Sequence, residues 1–283
     1  MNKSNIFLLC VGSQKAGTTW LYKELSKNKN VNFGLLKEYH IWDTPILKFT
    51  NNKSLINYKK FSFFDFPKKI FYEKEYTFKE GFLIYLLNKF SFLYFIYFKN
   101  ILIKNNEISI TGDFTPTYGI LDKKTLEKIK NRFENFNIEV KVIFITRDPI
   151  ERYKSLISYF YNKPKYKKIV NKSNKNVFSF FLEDELFTKL TRYELIIDKF
   201  KKVFGENFIV IDYGQLFNNK SIDLISKFLN IESKNVSFKK VNVTKNKISD
   251  LQFFEKKLLK DNFKNTYMYM EKNFNSIYKF WQD

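Results

Sequence analysis

Residues Ile6-Phe7-Leu8-Leu9-Cys10-Val11 run straight into Gly12-Ser13-Gln14-Lys15-Ala16-Gly17-Thr18-Thr19, and this stretch decides the fold. Six consecutive apolar residues ending at a glycine predict a strand buried on both faces. The turn then hands the chain to a helix, predicted from Thr18 to Ser26. Only eight glycines occur in 283 residues, and two of them fall within six positions here. Such a turn aims successive backbone N–H groups at one point, and the helix behind it adds the positive end of its dipole. An anion is the expected occupant, held by Gly12, Ser13, Gln14, Lys15, Ala16, Gly17, Thr18 and Thr19.

Working outward, Val31–Leu36 reads as a short strand, and Ile108–Ile110 as another ahead of a Gly112-Asp113-Phe114-Thr115-Pro116 turn. Residues 122–134 have helical periodicity, with Asp122 as N-cap. Val140–Thr146 is an apolar, β-branched run apart from Lys141, again read as a strand covered on both sides. Pro149 suits the first turn of a helix running to Tyr161. Asn207–Asp212 predicts another buried strand, Ser221–Leu229 a helix, and Ser249–Trp281 a helical tail. Strands alternating with helices give a three-layer α/β fold, a parallel sheet flanked by helices. It is P-loop-NTPase-like with a modified phosphate loop. No repeat or Pro/Gly/Ser linker divides the chain, so one domain over 1–283 is expected, with a helical, aromatic-rich insertion at about 44–106.

The modification is specific. A standard phosphate loop reads Gly-x-x-x-x-Gly-Lys-Ser/Thr. Here Thr18 follows the second glycine, and the lysine has moved inside the loop to position 15. From there its ammonium can reach the bridging and terminal oxygens of a bound group, while the magnesium-holding hydroxyl loses its usual neighbour. A second constellation is Thr146-Arg147-Asp148-Pro149-Ile150-Glu151-Arg152-Tyr153-Lys154-Ser155. Its two arginines, five residues apart, read as a geometric need, because arginine's rigid fork grips phosphate bidentately and lysine cannot. Arg147 is placed at the carboxyl end of a strand, where α/β sheets bind ligands. Ser155 is predicted about two turns into the following helix, on the face that carries Arg152.

Composition limits the function classes. Lys and Arg total 50 against 29 Asp and Glu, a formal net charge of +21. Taken alone, that balance points to nucleic acid. Only four of the 50 cations are arginine, however, and Lys, Asn, Ile, Phe and Tyr are abundant together, as A/T-rich codons make them. The charge therefore favours anionic ligands in general and no specific nucleic acid. One cysteine, Cys10, excludes a disulfide framework, and one histidine, His40, excludes a multi-histidine metal site, so no metal is expected. The apolar run at the start is too short for a signal peptide and lacks a small-residue cleavage site, so a cytoplasmic location is expected.

Gly12–Trp20 and Arg147–Ser155 together resemble the sulfotransferase family that uses 3′-phosphoadenosine 5′-phosphosulfate, the first as its 5′-phosphosulfate loop and the second as its 3′-phosphate motif. Further similarity runs through Lys37-Glu38-Tyr39-His40, Gly112 to Tyr118, Tyr213-Gly214-Gln215-Leu216 and the Trp281 ending. The pattern is most similar to the carbohydrate, heparan-type branch, whose members place Lys-Glu after the second strand. The resemblance implies that Lys15 contacts the bridging and sulfuryl oxygens, and that Gly17, Thr18 and Thr19 hold the 5′-phosphate. It also implies that Arg147 and Ser155 clamp the 3′-phosphate, that Glu38 is the catalytic base, and that the acceptor is a glycan or glycolipid. His40 is the alternative base, as in small-molecule sulfotransferases. Phe114 stands where some of the branch carry lysine, and Asp113 where many carry glutamate. Val241–Lys247 takes the place of a basic, glycine-containing loop over the nucleotide.

Sulfuryl transfer needs an acceptor in line with the leaving phosphate, a base, and cations near the developing charge. Glu38 just past a strand end fits the second need, and an extended 36–40 would put Glu38 and His40 on the same side. Two rival readings remain. A P-loop-type kinase is disfavoured by the displaced lysine and by a strand ending in Thr146-Arg147 instead of a magnesium-binding aspartate. A basic polyanion- or membrane-surface-binding protein is the non-enzymatic rival. Phe82–Ile103 bears on it, because this apolar stretch is long enough to span a bilayer. Asn88, Lys89, Ser91, Lys99 and Asn100 interrupt it over about half the helical circumference, which favours core packing or an interfacial helix over a membrane span.

Overall fold

The apolar run after Ser4 forms β1 (Asn5–Cys10), the centre of a sheet whose other strands are β2 (Ile110–Asp113), β3 (Ile138–Thr146) and β4 (Phe208–Asp212). The computed structural model describes residues 4–43, 77–161, 177–232 and 251–282. All strand pairs are parallel, in the order β2–β1–β3–β4, with Leu8 opposite Gly112, Phe7 opposite Val140 and Thr146 opposite Asp212. Twelve α-helices accompany it among the described residues. They are α1 (Thr18–Leu25), α2 (Phe78–Lys89), α3 (Phe92–Lys104), α4 (Lys123–Glu134), α5 (Pro149–Tyr161) and α6 (Val177–Leu182). After them come α7 (Glu185–Thr191), α8 (Tyr193–Phe204), α9 (Asn219–Leu229), α10 (Phe253–Asn262), α11 (Lys264–Asn273) and α12 (Asn275–Tyr278).

The two-residue period of the strands sorts the core. Phe7, Leu9, Val140, Val142 and Phe144 point to one side, where α3, α4 and α8 bring Phe98, Phe133 and Phe200. Phe7 lies flat on Phe133 at 3.9 Å between ring centroids. Ile6, Leu8, Cys10, Ile143 and Ile145 point to the other side, against Leu21 of α1 and Ile222, Ile225 and Leu229 of α9. Both faces are thus covered, as the apolar runs Ile6–Cys10 of β1 and Val142–Ile145 of β3 predict. The α/β architecture is that of the sequence reading.

Several boundaries differ, each for a local reason. Val31–Leu36 is not a strand: Val31 makes one isolated bridge to Ile110, then Asn32 Oδ1 accepts from Gly34 N (2.9 Å) and Gly34 turns to φ +79. Side-chain capture of the backbone competes here with extension. β2 begins at Ile110 and contains Gly112 and Asp113, which read as a turn. Gly112 lies so close to β1 that a Cβ would come within 2.2 Å of the Leu8 carbonyl oxygen, so only glycine permits this pairing. The apolar stretch at 82–103 splits into α2 and α3. The helical tail is three helices, interrupted at Phe263 and Phe274, and closed by a short 3-10 turn at Lys279–Trp281. α6, α7 and α8 escaped the sequence reading. Asp122 caps α4 as predicted, its Oδ1 accepting from Thr125 N at 2.7 Å. The Val241–Lys247 loop, and residues 44–76 of the proposed insertion, lie outside the described residues.

Candidate active site

The Gly12–Thr19 turn sits at the carboxyl end of β1, where the parallel sheet splits its connections to either side. Hydrogen bonds to β3 hold it: Val11 N to Ile143 O (3.1 Å), Ser13 N to Ile145 O (2.6 Å) and Ile145 N to Gly12 O (2.7 Å). Gly12 at φ +135 and Gly17 at φ +88 occupy backbone regions that favour glycine, and Lys15 joins them at φ +66. A Cβ on Gly17 would also press within 2.7 Å of Leu216. Gly17 caps α1 with no side-chain cap, and no acidic residue lies in the first turn. The N–H groups of Thr18 and Thr19 precede the first intrahelical bond, which runs from Trp20 N to Gly17 O. This end of α1 is an electropositive cradle built from backbone. Lys15 holds its ammonium over the Tyr159 ring at 4.2 Å.

The two arginines have different work. Arg147, just past β3, donates to the Lys15 carbonyl (2.7 Å), lies 4.4 Å over the Tyr213 ring and approaches Glu151 at 3.8 Å. Its side chain is 17% exposed, enough to meet a ligand at the rim. Arg152, read from sequence as its companion, is fully buried and does not reach that rim. Its guanidinium spans the Gln14 carbonyl (3.4 Å), the Phe187 carbonyl (3.0 Å) and the Thr191 hydroxyl, and stacks on the Phe187 ring. Burial lowers its pKa to about 10, so it remains charged at neutral pH. It braces the turn from beneath. Ser155 is half-buried on α5. Tyr193 ties the pieces together, donating to the Arg147 carbonyl (2.9 Å) and meeting the Ser13 hydroxyl at 3.4 Å.

The Lys37–Asp43 segment completes the site with side chains. Lys37 Nζ contacts Thr18 Oγ1 of the turn (3.3 Å) and Glu38 Oε1 (2.5 Å). The other carboxylate oxygen of Glu38 lies 3.3 Å from His40 Nε2, and His40 Nδ1 lies 2.8 Å from Asp43 Oδ2. Thr117 donates to the same Asp43 oxygen. The segment is not extended, since His40 sits at φ +53, yet the curve brings Glu38 and His40 together as expected. Burial works against charge on both, and their partners outweigh it. For Glu38, the His40 hydrogen bond and the Lys37 ammonium hold the carboxyl down at about 2. For His40, the charges of Asp43 and Glu38 and their hydrogen bonds raise the imidazole to about 10.

A buried platform fixes this curve. Tyr39 N donates to Thr115 Oγ1 (3.0 Å), which donates to Asp113 Oδ1 (2.6 Å), while Tyr94 donates to Asp113 Oδ2 (2.9 Å). Ile41 N donates to the Tyr118 hydroxyl at 3.0 Å. Burial pushes Asp113 up to about 6, against the three hydroxyls that stabilise its charge. The sequence reading missed Asp43, Thr117 and Tyr193 as parts of the site. Only the spacing His40-x-x-Asp43 could have raised Asp43 in advance.

No protein-family description matches the sequence, and no curated protein matches it. Solved structures do match in shape. A sulfotransferase from Alicyclobacillus acidocaldarius superposes with a TM-score of 0.57 over 95% of this chain and 95% of that one, at 13% identity. This is a sulfotransferase fold. The sulfotransferase domain of the curacin biosynthetic pathway also aligns, covering 92% of this chain and 90% of that one at 17% identity, with a TM-score of 0.48. The likeness is one of fold, a parallel α/β sheet flanked by helices.

Proposed function

We propose that the protein transfers a sulfuryl group from 3′-phosphoadenosine 5′-phosphosulfate to a hydroxyl or amine of a glycan, with Glu38 as base. The observation that carries this reading is Lys37, whose ammonium touches Thr18 of the turn and Glu38 at once. A cation and a carboxylate therefore flank one uncapped helix N-terminus. The donor fits a cradle that has backbone N–H groups, no acidic residue in its first turn, and Lys15 and Arg147 at its edges. Gly17, Thr18 and Thr19 bind its 5′-phosphate, Lys15 meets the bridging and sulfuryl oxygens, and Arg147 with Ser155 holds the 3′-phosphate.

Protonation states favour Glu38 over His40 as base. A histidine raised to about 10 already carries its proton at neutral pH and cannot accept another. Glu38 is ionised and accepts. An anion arriving beside Lys37 competes for the ammonium and adds negative charge, which raises the Glu38 pKa towards the range a base needs. Asp43 and Thr117 keep the imidazole oriented behind it.

Thermal unfolding with adenosine 3′,5′-bisphosphate tests the reading without an acceptor. Binding without metal is expected, worth about 2.7 kcal/mol at a hundred times the dissociation constant. Stabilisation by ATP with magnesium, and none by the bisphosphate, would point to a kinase instead.

A further inference from the structure

Helices α2 and α3 are apolar almost all round, a pattern found in helices buried on every side or in contact with lipid. One face of each is buried. Ile84 and Leu87 of α2, with Tyr94, Phe95, Phe98 and Leu102 of α3, sit in the core. The opposite faces expose apolar side chains, among them Phe82, Phe92, Ile96 and Ile103. At a repeat of four, three and four residues, one side of α2 carries Phe78, Phe82, the half-buried Tyr85 and Lys89, and one side of α3 carries Phe92, Ile96, the half-buried Lys99 and Ile103. Phe78, Phe92 and Ile103 are each close to 60% exposed, at 61%, 58% and 57%, and the Phe78 and Phe82 rings lie parallel at 6.4 Å. A pair of matched apolar stripes on a lysine-rich protein calls for an occupant.

We infer that these stripes seat the protein on an anionic membrane surface. At 12 and 13 residues the helices are far short of the roughly 20 residues that a bilayer span needs. No helix among the described residues is long and apolar enough to cross. The stripes must lie along the interface. Charge selects the kind of surface. Glu80 is the one acid in α2 and α3, and it is engaged in capping Thr77. Against that single acid the two helices carry Lys79, Lys89, Lys99 and Lys104. Lysine ends beside aromatic rings suit anionic headgroups above an acyl boundary, with Lys89 within 5.8 Å of Tyr85 and 5.3 Å of Phe90. The buried side of α3 holds the segment that carries Glu38 and His40: Tyr97 accepts from Leu35 N at 2.9 Å and meets the Tyr39 hydroxyl at 3.3 Å. Docking would bring that segment to the bilayer.

This inference does not rest on sulfuryl transfer, and vesicle co-sedimentation tests it alone. Phosphatidylcholine vesicles containing phosphatidylserine are expected to carry the full-length protein down, and added salt to release it. Phe92→Glu with Ile96→Glu, both at exposed positions, should weaken partitioning at least about tenfold. Lys89→Gln with Lys104→Gln should weaken it about fivefold per charge while leaving the fold untouched. Leu195→Glu, an equally exposed leucine on α8, should bind as wild type. Failure of the wild type to bind the mixed vesicles would overturn the inference. So would equal binding to pure phosphatidylcholine, or equal loss in Leu195→Glu. Self-association abolished by the α3 pair, without vesicle binding, would assign the stripes to a second copy and overturn it as well.

Discussion

The two halves of the site are made of different material. The Gly12–Thr19 turn presents backbone: N–H groups set by glycine conformations and hydrogen bonds to β3. The Lys37–Asp43 segment presents side chains in a chain of charge, from Lys37 through Glu38 and His40 to Asp43, held on a platform of hydroxyls. Backbone sites survive most side-chain changes around them and fail when their support is removed. Side-chain sites fail one residue at a time. Mutations can therefore separate binding from turnover.

The largest effect belongs to the side-chain half. Glu38→Gln keeps the shape and removes proton acceptance, so turnover should fall about 10²–10⁴-fold. Single-turnover rates should show this while the affinity for adenosine 3′,5′-bisphosphate stays near wild type. A near-normal Glu38→Gln enzyme beside a dead His40→Asn enzyme would transfer the base role to His40.

Next is the support of the backbone half. Arg152→Ala takes the guanidinium's hydrogen bonds from the Gln14 and Phe187 carbonyls and the Thr191 hydroxyl and opens a cavity under the turn. The loss of stability should be about 3 kcal/mol or more, read from urea unfolding. Retained stability would show that the turn holds itself. Arg147→Lys is milder, keeping the charge but losing the fork. Bisphosphate binding should weaken by about 1–3 kcal/mol in calorimetric titration, with unfolding little changed. Unaltered affinity would confine Arg147 to bracing Lys15.

A further test is in pH dependence. His40 is raised in the folded protein, so its contribution is fully present below its ordinary value of 6.5 and is lost as pH rises through about 10. Glu38 is depressed, so its contribution is present above its ordinary value of 4.5 and is lost as pH falls through about 2. The stability gap between wild type and His40→Asn should therefore narrow between pH 7 and pH 10. A gap of constant width would mean that the imidazole is neutral in its pocket.

The same contrast explains what the sequence disclosed. A backbone site needs glycines at fixed spacing after a buried strand, and both are visible in one dimension, so the turn, α1, β1, β3 and α5 could be placed from sequence. The place of Arg147 beside the turn was legible because arginine is scarce in this chain. Arg152 carried the same signal yet serves as a buried brace, because rarity marks geometric need without saying where the fork points. The side-chain half was only partly legible. Asp43 acts through contacts with His40 and Thr117, and the latter lies 74 residues away. The misread strand at Val31–Leu36 has the alternation of a strand, and Asn32 with Gly34 breaks it through a local hydrogen bond that pattern alone does not register. α2 and α3 were hardest, since an apolar residue on a bare face and one in the core look alike in sequence.

The three tryptophans fall where they can be put to use. Trp20 directly follows Thr19, and Trp42 directly precedes Asp43. Trp281 donates to Asp212 at 2.9 Å, and Asp212 in turn meets Thr146, the residue before Arg147. The three indoles pack in different surroundings, Trp20 against Phe217, Trp42 against Tyr94 and Phe95, and Trp281 against Tyr193. An anion entering the turn changes the electric field at all of them, so the protein's native ultraviolet emission is a dye-free gauge of occupancy. Replacing the indoles singly would assign that emission to its three positions and show which of them senses a ligand.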